Sequence, residues 1–584
     1  MNELYQQLMR GIPHRRLPDE TIPGAVPHTL RGWVDALPIA NFAATSSQLL
    51  DHLRAMNQVR IKPLQRLEML EVLRVSVGQC ISTVDAQILG STFPLTPQTA
   101  ARATLSEMFE FELSLGYIEV LFDLCAPKEA VPMFRGRHAS LAAFRALEHA
   151  GQCLQKSYQC YHAPSAGIWQ SMHIVYRVIV DLKLERKTVD ASRFGDRAQP
   201  AHVYAHALLL SLVNPYSFTL HELPEITAII RLLAPLCELL EVGAEVEQTG
   251  TLRLVDTRSD VGPGFVVEDA MVGKQTMLGI DTTGVVSEIE WRINAASNDA
   301  HSVELPHRGG NAWRAEIRLL RHLVGILSAD YSREFERVDS EQEMETVIGL
   351  HDLHNVLADK DDFSCFAQRV FGSADSAEQQ VMTSLVTTSS EQTRVCQRRA
   401  HVLNQSLRGY RLRWTSGPHG ETVGAKVGEV IGLRSDRDSA SNWIVGSIRW
   451  LRINEDGDVD AGVEVLARRA LPVAVGLDDD TTPSCAPCRG LLLAPLRSVD
   501  AGIYSTLLVP SIVSPKLVDR SLISLNVALP LDGNRWWMDA GVRRLGATGL
   551  LDRSGSYIHF RLPSMRRAEA AHDAMLRKPA VRAD

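Results

Sequence analysis

The sequence predicts an α+β multidomain chain: an N-terminal all-α region, built as a helical bundle or irregular helical array, then a small antiparallel β-barrel and a second small β domain. Three observations predict it. Apolar residues recur at helical spacing between about residues 46 and 240, as in Leu64, Leu67, Leu70 and Leu73. From Tyr410 the period changes to two, with Tyr410, Leu412 and Trp414 alternating with Arg411 and Arg413, the pattern of a strand with one buried face. The same alternation returns near the C-terminus, in Ile523, Leu525, Val527 and Leu529 and again in Ile558, Phe560 and Leu562.

The elements follow in order. Residues 1–45 carry Pro13, Pro18, Pro23, Pro27 and Pro38 with little periodicity, which predicts an extended arm lying on a folded surface. Residues 46–240 read as successive helices, with breaks at Asn214-Pro215 and near Pro224. Trp169, Met172, Tyr176 and Ile179 form an aromatic stripe there, and burial statistics assign it to the core before a ligand groove. No fixed repeat period is present. Residues 241–305 turn to Gly, Asp, Thr and Val, with a strand at Thr251–Val255 and a turn at Val261–Gly264. Residues 306–392 are predicted helical again, with Ile317, Leu320, His322 and Leu323 followed by Met344, Val347, Ile348 and Leu350. The barrel is placed at 393–480, where Trp443–Trp450 and Gly462–Leu466 are strand-like around a turn at Asn454–Asp458. The second β domain takes 481–570 and a tail 571–584.

Composition narrows the function. A chain of 584 residues with 45% hydrophobic and 22% charged residues is that of an ordinary multidomain soluble protein. The formal net charge of −8 opposes general nucleic-acid binding, which needs an excess of Lys and Arg to neutralise phosphates. Arg231 and Pro235 interrupt the most apolar stretch, Ile226–Leu240, so no transmembrane segment is expected, and with no apolar signal core at the N-terminus the expected location is cytoplasmic. Cys80, Cys125, Cys153 and Cys237 sit in apolar contexts that suit reduced, buried thiols. Cys485 and Cys488 form a lone Cys-x-x-Cys without the further ligands that a zinc site requires.

Catalytic patterns are incomplete wherever they begin. Val272-Gly-Lys-Gln-Thr276 has Glu268 where a phosphate loop needs glycine and Gln275 where it needs Ser or Thr. His351 and His354 stand near one helical turn apart but lack an accompanying carboxylate motif, and Glu225 occupies the place of the second histidine after His221-Glu222. A nucleophile elbow, a dinucleotide fingerprint and a kinase signature set are all missing. The expectation is a protein that is not an enzyme and holds no metal.

The most informative run is Asn404-Gln-Ser-Leu-Arg-Gly409, of the form (Asp/Asn)-x-Ser-x-x-Gly, preceded by Arg394-Val-Cys-Gln-Arg398. Planar guanidinium forks at Arg394, Arg398 and Arg399 suit phosphate oxygens and the guanine O6/N7 edge alike. The amide oxygen of Asn404 and the hydroxyl of Ser406 can take up guanine donors, and Gly409 is expected to turn the chain at positive φ into the next strand. If the cluster binds no such ligand, Arg394, Arg398, Arg399, Arg408, Arg411 and Arg413 remain a basic row suited to some anion.

Residues 394–470 resemble the PilZ domain, the bacterial module that binds cyclic di-GMP. The resemblance implies a six-residue ligand set of Arg394, Arg398, Arg399, Asn404, Ser406 and Gly409, and outputs in motility, pili, adhesion or exopolysaccharide, relayed by the helical region to a protein partner. One departure stands out. In that family a full strand separates the arginine and serine motifs, whereas only Arg399–Leu403 intervene here; a strand donated by the second β domain is one way to make up the difference. The alternative function is a non-catalytic scaffold whose barrel has lost its nucleotide.

Overall fold

The computed structural model describes residues 3–16, 27–91, 95–189, 198–241, 251–263, 277–296, 301–305, 313–328, 336–358, 363–364, 366–367, 397–417, 423–435, 442–477, 488–496, 506–511, 523–528, 542–547 and 549–562. The chain divides into two compact units, Met1–Arg333 and Glu334–Asp584.

The first unit is mainly helical: α1 Glu3–Arg10, α2 Pro27–Asp35, α3 Phe42–Asn57, α4 Pro63–Leu89, α5 Pro97–Cys125, α6 Gly136–Gln159, α7 Ile168–Asp181, α8 Pro200–Leu212 and α9 Glu222–Leu233. A three-stranded antiparallel sheet of β1 (Glu238–Glu241), β2 (Leu252–Asp256) and β3 (Met277–Asp281) follows, with β3 central. Then come α10 (Thr283–Ala295), the hairpin β4 (Ser302–Leu305) and β5 (Trp313–Glu316), and α11 (Ile317–Leu327). The extended arm expected at the N-terminus is in part helical. Leu4, Tyr5 and Leu8 give α1 a buried stripe, and Pro27 opens α2 as its first residue, where the missing N–H removes no helical bond.

The core of this unit runs through α6, which is buried over almost its whole circumference although it carries Arg145, Glu148, His149 and Lys156. Buried charges are tolerated when each has a partner. Arg145 meets Glu148 at 2.5 Å and Glu71 at 3.3 Å, His149 Nδ1 lies 2.5 Å from Glu110, and Lys156 pairs with Asp85. Arg15, beyond α1, reaches α5 and donates to both Asp123 oxygens at 2.6 and 2.8 Å. The aromatic stripe of α7 is core as expected: Trp169, Met172, Tyr176 and Ile179 are all buried.

The second unit begins with β6 (Val338–Asp339) and β7 (Glu343–Ile348), then α12 (Leu350–Leu357), and continues with β8 (Gln397–Ser406), β9 (Gly409–Trp414), β10 (Val430–Ser435), β11 (Ile444–Ile453) and β12 (Val459–Ala467). Pairing in the order β8-β7-β10-β11-β12-β9, with β9 returning to β8, closes an antiparallel six-stranded barrel. Here the expectation of helix over Met344–Ile348 is overturned, for this segment is a barrel strand held between β8 and β10. It is also the strand that the short motif spacing lacked. The second β domain does not donate it.

That second domain is a seven-stranded antiparallel sheet, in the order β17-β16-β13-β14-β15-β19-β18. Its strands are β13 (Ala470–Leu477), β14 (Cys488–Leu493), β15 (Thr506–Pro510), β16 (Ile523–Ala528), β17 (Val542–Ala547), β18 (Gly549–Arg553) and β19 (Tyr557–Arg561). Helix α12 lies between barrel and sheet: Leu350, Leu353 and Leu357 share one core with Val430 and Trp443 of the barrel and Leu491, Leu508 and Tyr557 of the sheet. His354 faces the same core and lies 3.1 Å from the Val473 carbonyl through Nε2. Burial pushes its imidazole down to about 3, so the neutral ring donates there as a structural group.

Candidate functional site

Strands β8 and β9 form a hairpin through the two-residue turn Leu407-Arg408, with Ser406 opposite Gly409, Gln405 opposite Tyr410 and Asn404 opposite Arg411. A bulge between Val402 and Asn404 decides what faces where. Before it, Ala400 and Val402 point into the barrel while Arg399 and His401 are exposed. After it the parity flips, so that Asn404 and Ser406 share the outer face with Arg411 and Gly409, opposite to buried Tyr410 and Leu412.

The strand therefore separates residues that sequence reasoning had grouped. Arg398 falls on the side of Ala400 and Val402, half-buried, and its carbonyl accepts the Thr346 hydroxyl at 2.8 Å. Six residues of strand put it about 20 Å from Asn404, on the opposite face. Arg399 points outward, where Glu343 pairs with it at 3.5 Å. Arg394 lies outside the described residues, as do Val272–Thr276 and Cys485. Arg398 and Arg399 are thus strand residues at the far end of β8 from the serine motif.

A different arginine reaches that motif. Strand β6 lies along the second half of β8, pairing Asp339 with Asn404 and Val338 with Gln405. Immediately before it, Arg337 Nη1 donates to Asn404 Oδ1 at 3.5 Å. The sequence Arg333-Glu-Phe-Glu-Arg337 is itself an Arg-x-x-x-Arg, and the strand β6–β7 stands between it and β8. Arg333 lies outside the described residues. The signal that could have found this pair was the spacing itself, since an arginine motif one full strand upstream was the family expectation.

Two further residues shape the outer face. Gly409 does not take positive φ, contrary to the expectation from sequence; it is required by close approach, because a Cβ there would stand 2.8 Å from the Val463 carbonyl oxygen. Trp450 of β11 lies across Gly462 of β12, where any Cβ would overlap the indole, and Arg411 sits over the ring at 5.8 Å. Gly457, by contrast, does turn at φ +82, in the loop where the Asp458 N–H donates to Asn454 Oδ1 at 2.8 Å.

The electrostatics of this face are local. Asp460 accepts from Arg411 at 2.8 Å and from Arg413 at 2.6 and 3.0 Å. Burial alone would lift the Asp460 carboxyl, but hydrogen bonds from Arg413 and Arg411 outweigh it and hold the group below its ordinary value. Arg411 and Arg413 are therefore engaged within the barrel wall, and the basic row does not stand open as one anion patch. Among the described residues no cluster of three or more His, Cys, Asp or Glu is arranged to hold a metal ion, and no helix is long and apolar enough to cross a membrane.

Known proteins place this architecture. A family model described as the N-terminal domain of the cyclic-di-GMP receptor FimW matches residues 28–245. A second, described as the middle PilZ domain of the same receptor, matches residues 252–394 and 371–472. The cyclic-di-GMP receptor FimW of Pseudomonas aeruginosa is 22% identical over 519 residues, covering 81% of this chain and 82% of that protein. Residues 28–245 and 252–472 are thus similar, in the same order, to the N-terminal and middle PilZ domains of the cyclic-di-GMP receptor FimW.

Proposed function

We propose that this protein is a cyclic di-GMP effector whose barrel binds the dinucleotide on its outer face, at the end of β8. The observation that carries the reading is Arg337 meeting Asn404 beside Ser406, which brings a guanidinium to the serine motif from one strand upstream. In this assignment Arg333 and Arg337 fork onto phosphate or the guanine O6/N7 edge, while Asn404 and Ser406 take up the guanine donors. Gly409 keeps the hairpin close to β12, and Arg398 and Arg399 have no part in the ligand set. The family of the relatives supports the choice of ligand.

Binding would tie Arg333 and Arg337 to one ligand on the barrel, a local change that a helical domain can pass to a protein partner. The test is calorimetric titration of the full chain with cyclic di-GMP, beside Arg337→Ala, Ser406→Ala and Arg398→Ala. Micromolar binding, on the order of 8 kcal/mol, should be lost or weakened at least about tenfold in the first two and kept in the third. Loss in Arg398→Ala with retention in Arg337→Ala would reverse the assignment. Absence of binding by the folded wild type would leave a scaffold with a silent barrel.

A further inference from the structure

We infer that the helical domain contains a second small-molecule site, in the cavity between α1, α5 and α7, that takes an amphipathic anion: an apolar or aromatic body with one acidic group. The cavity measures about 470 Å³, within the roughly 300–1,000 Å³ usual for ligand pockets. Its walls are Phe111, Leu115 and Ile118 from α5 and Ile174 from α7, and its polar residues include two cations, Arg10 at the end of α1 and Arg258 in the turn after β2. Phe111 is 50% exposed although it borders a well-packed domain, so an aromatic face is held open toward the cavity mouth.

The charge pattern selects the ligand's sign. The chain has 69 acidic against 61 basic residues, yet no carboxylate lines this cavity among the described residues, and neither Arg10 nor Arg258 has an ion-pair partner there. Two acids stand near it and both accept from backbone: Asp260 takes the Gly167 N–H at 2.5 Å and the Gln170 N–H at 3.0 Å, closing the N-terminus of α7, and Asp256 Oδ1 takes the Arg258 N–H at 3.0 Å. The helix end is thus satisfied by Asp260, and the two guanidiniums are what is left to hold an external anion. Gln170 and Ser171, also on the wall, supply neutral hydrogen-bonding groups that orient a polar head without repelling it.

The site is distinct from the barrel, and its test does not involve cyclic di-GMP. The full chain is titrated by fluorescence with anilinonaphthalene sulfonate, an aromatic anion, and in parallel with uncharged phenylnaphthylamine. One molecule of either dye should bind per chain, and Leu115→Trp, which fills the cavity, should abolish both. Arg10→Ala combined with Arg258→Ala should weaken the sulfonate at least about tenfold, the scale of two charge-assisted contacts, while leaving the uncharged dye unaffected, which also shows that the double variant is folded. Equal sulfonate binding by wild type and double variant, or dye binding indifferent to Leu115→Trp, would overturn the inference.

Discussion

The indole of Trp450 lies against the backbone of Gly462 on the neighbouring strand, in the space that a Cβ would fill. The contact makes one glycine and one tryptophan a single structural unit on the outer face of the barrel. Gly462→Ala should cost about 1–3 kcal/mol by overpacking, read as a lowered denaturant midpoint, and should shift the tryptophan emission. In a Trp450→Ala background the same substitution should cost much less. Equal costs in the two backgrounds would mean that the indole is not what excludes the methyl group.

His354 sets a pH dependence. Its imidazole is buried and held neutral with its pKa pushed down to about 3 by burial, against about 6.5 in an unfolded chain. The unfolded state therefore binds the extra proton between those values, and stability is full above the unfolded pKa and falls as the pH drops toward the folded one. Between pH 7 and pH 5 the loss from this one group is about 2 kcal/mol. Melting curves across that range should flatten in His354→Gln relative to wild type; the buried His206, also pushed down to about 3, adds a slope in the helical domain that the variant leaves intact. An unchanged slope would mean that His354 takes up its proton at the same pH in the folded and unfolded chain.

Arg15 ties the N-terminal segment to α5 by a two-pronged contact with Asp123, with Glu119 3.5 Å away. Arg15→Ala should destabilise the segment by about 2 kcal/mol, the range of hydrogen bonds between charged groups. Amide exchange should accelerate in α1 before it does in α6. Uniform acceleration across both helices would instead make the contact part of the global core.

Much of this could be read from the chain because it is local. The turn, the serine motif and strands β9, β11 and β12 lie within one stretch of sequence, and their period of two is undisturbed: Tyr410, Leu412 and Trp414 are buried as the alternation requires. Strand β7 escaped for a specific reason. Its inward positions include Thr346, buried at 1% exposure, donating to the Arg398 carbonyl and accepting from Trp414 Nε1 at 3.0 Å. A buried polar residue at that position hides the alternation, and Met344, Val347 and Ile348 then mimic helical spacing. Its partner β8 begins at Gln397, so no hairpin turn gave the pairing away. The arginine pair went unseen for the same reason, since Arg337 reaches Asn404 only once β6 and β8 are side by side.

The late entry of β8 has a practical corollary. A fragment cut where the barrel motifs begin, near residue 393, would discard β6 and β7 and leave β8 and β10 each with an unpaired row of N–H and C=O groups facing the same gap. Such twin open edges invite pairing with other chains, so the short fragment should precipitate or assemble, and one beginning before Arg337 should stay monodisperse. The smallest piece able to fold as a barrel is set by a six-residue strand whose Thr346 lies 52 residues upstream of Arg398, its hydrogen-bond partner on β8.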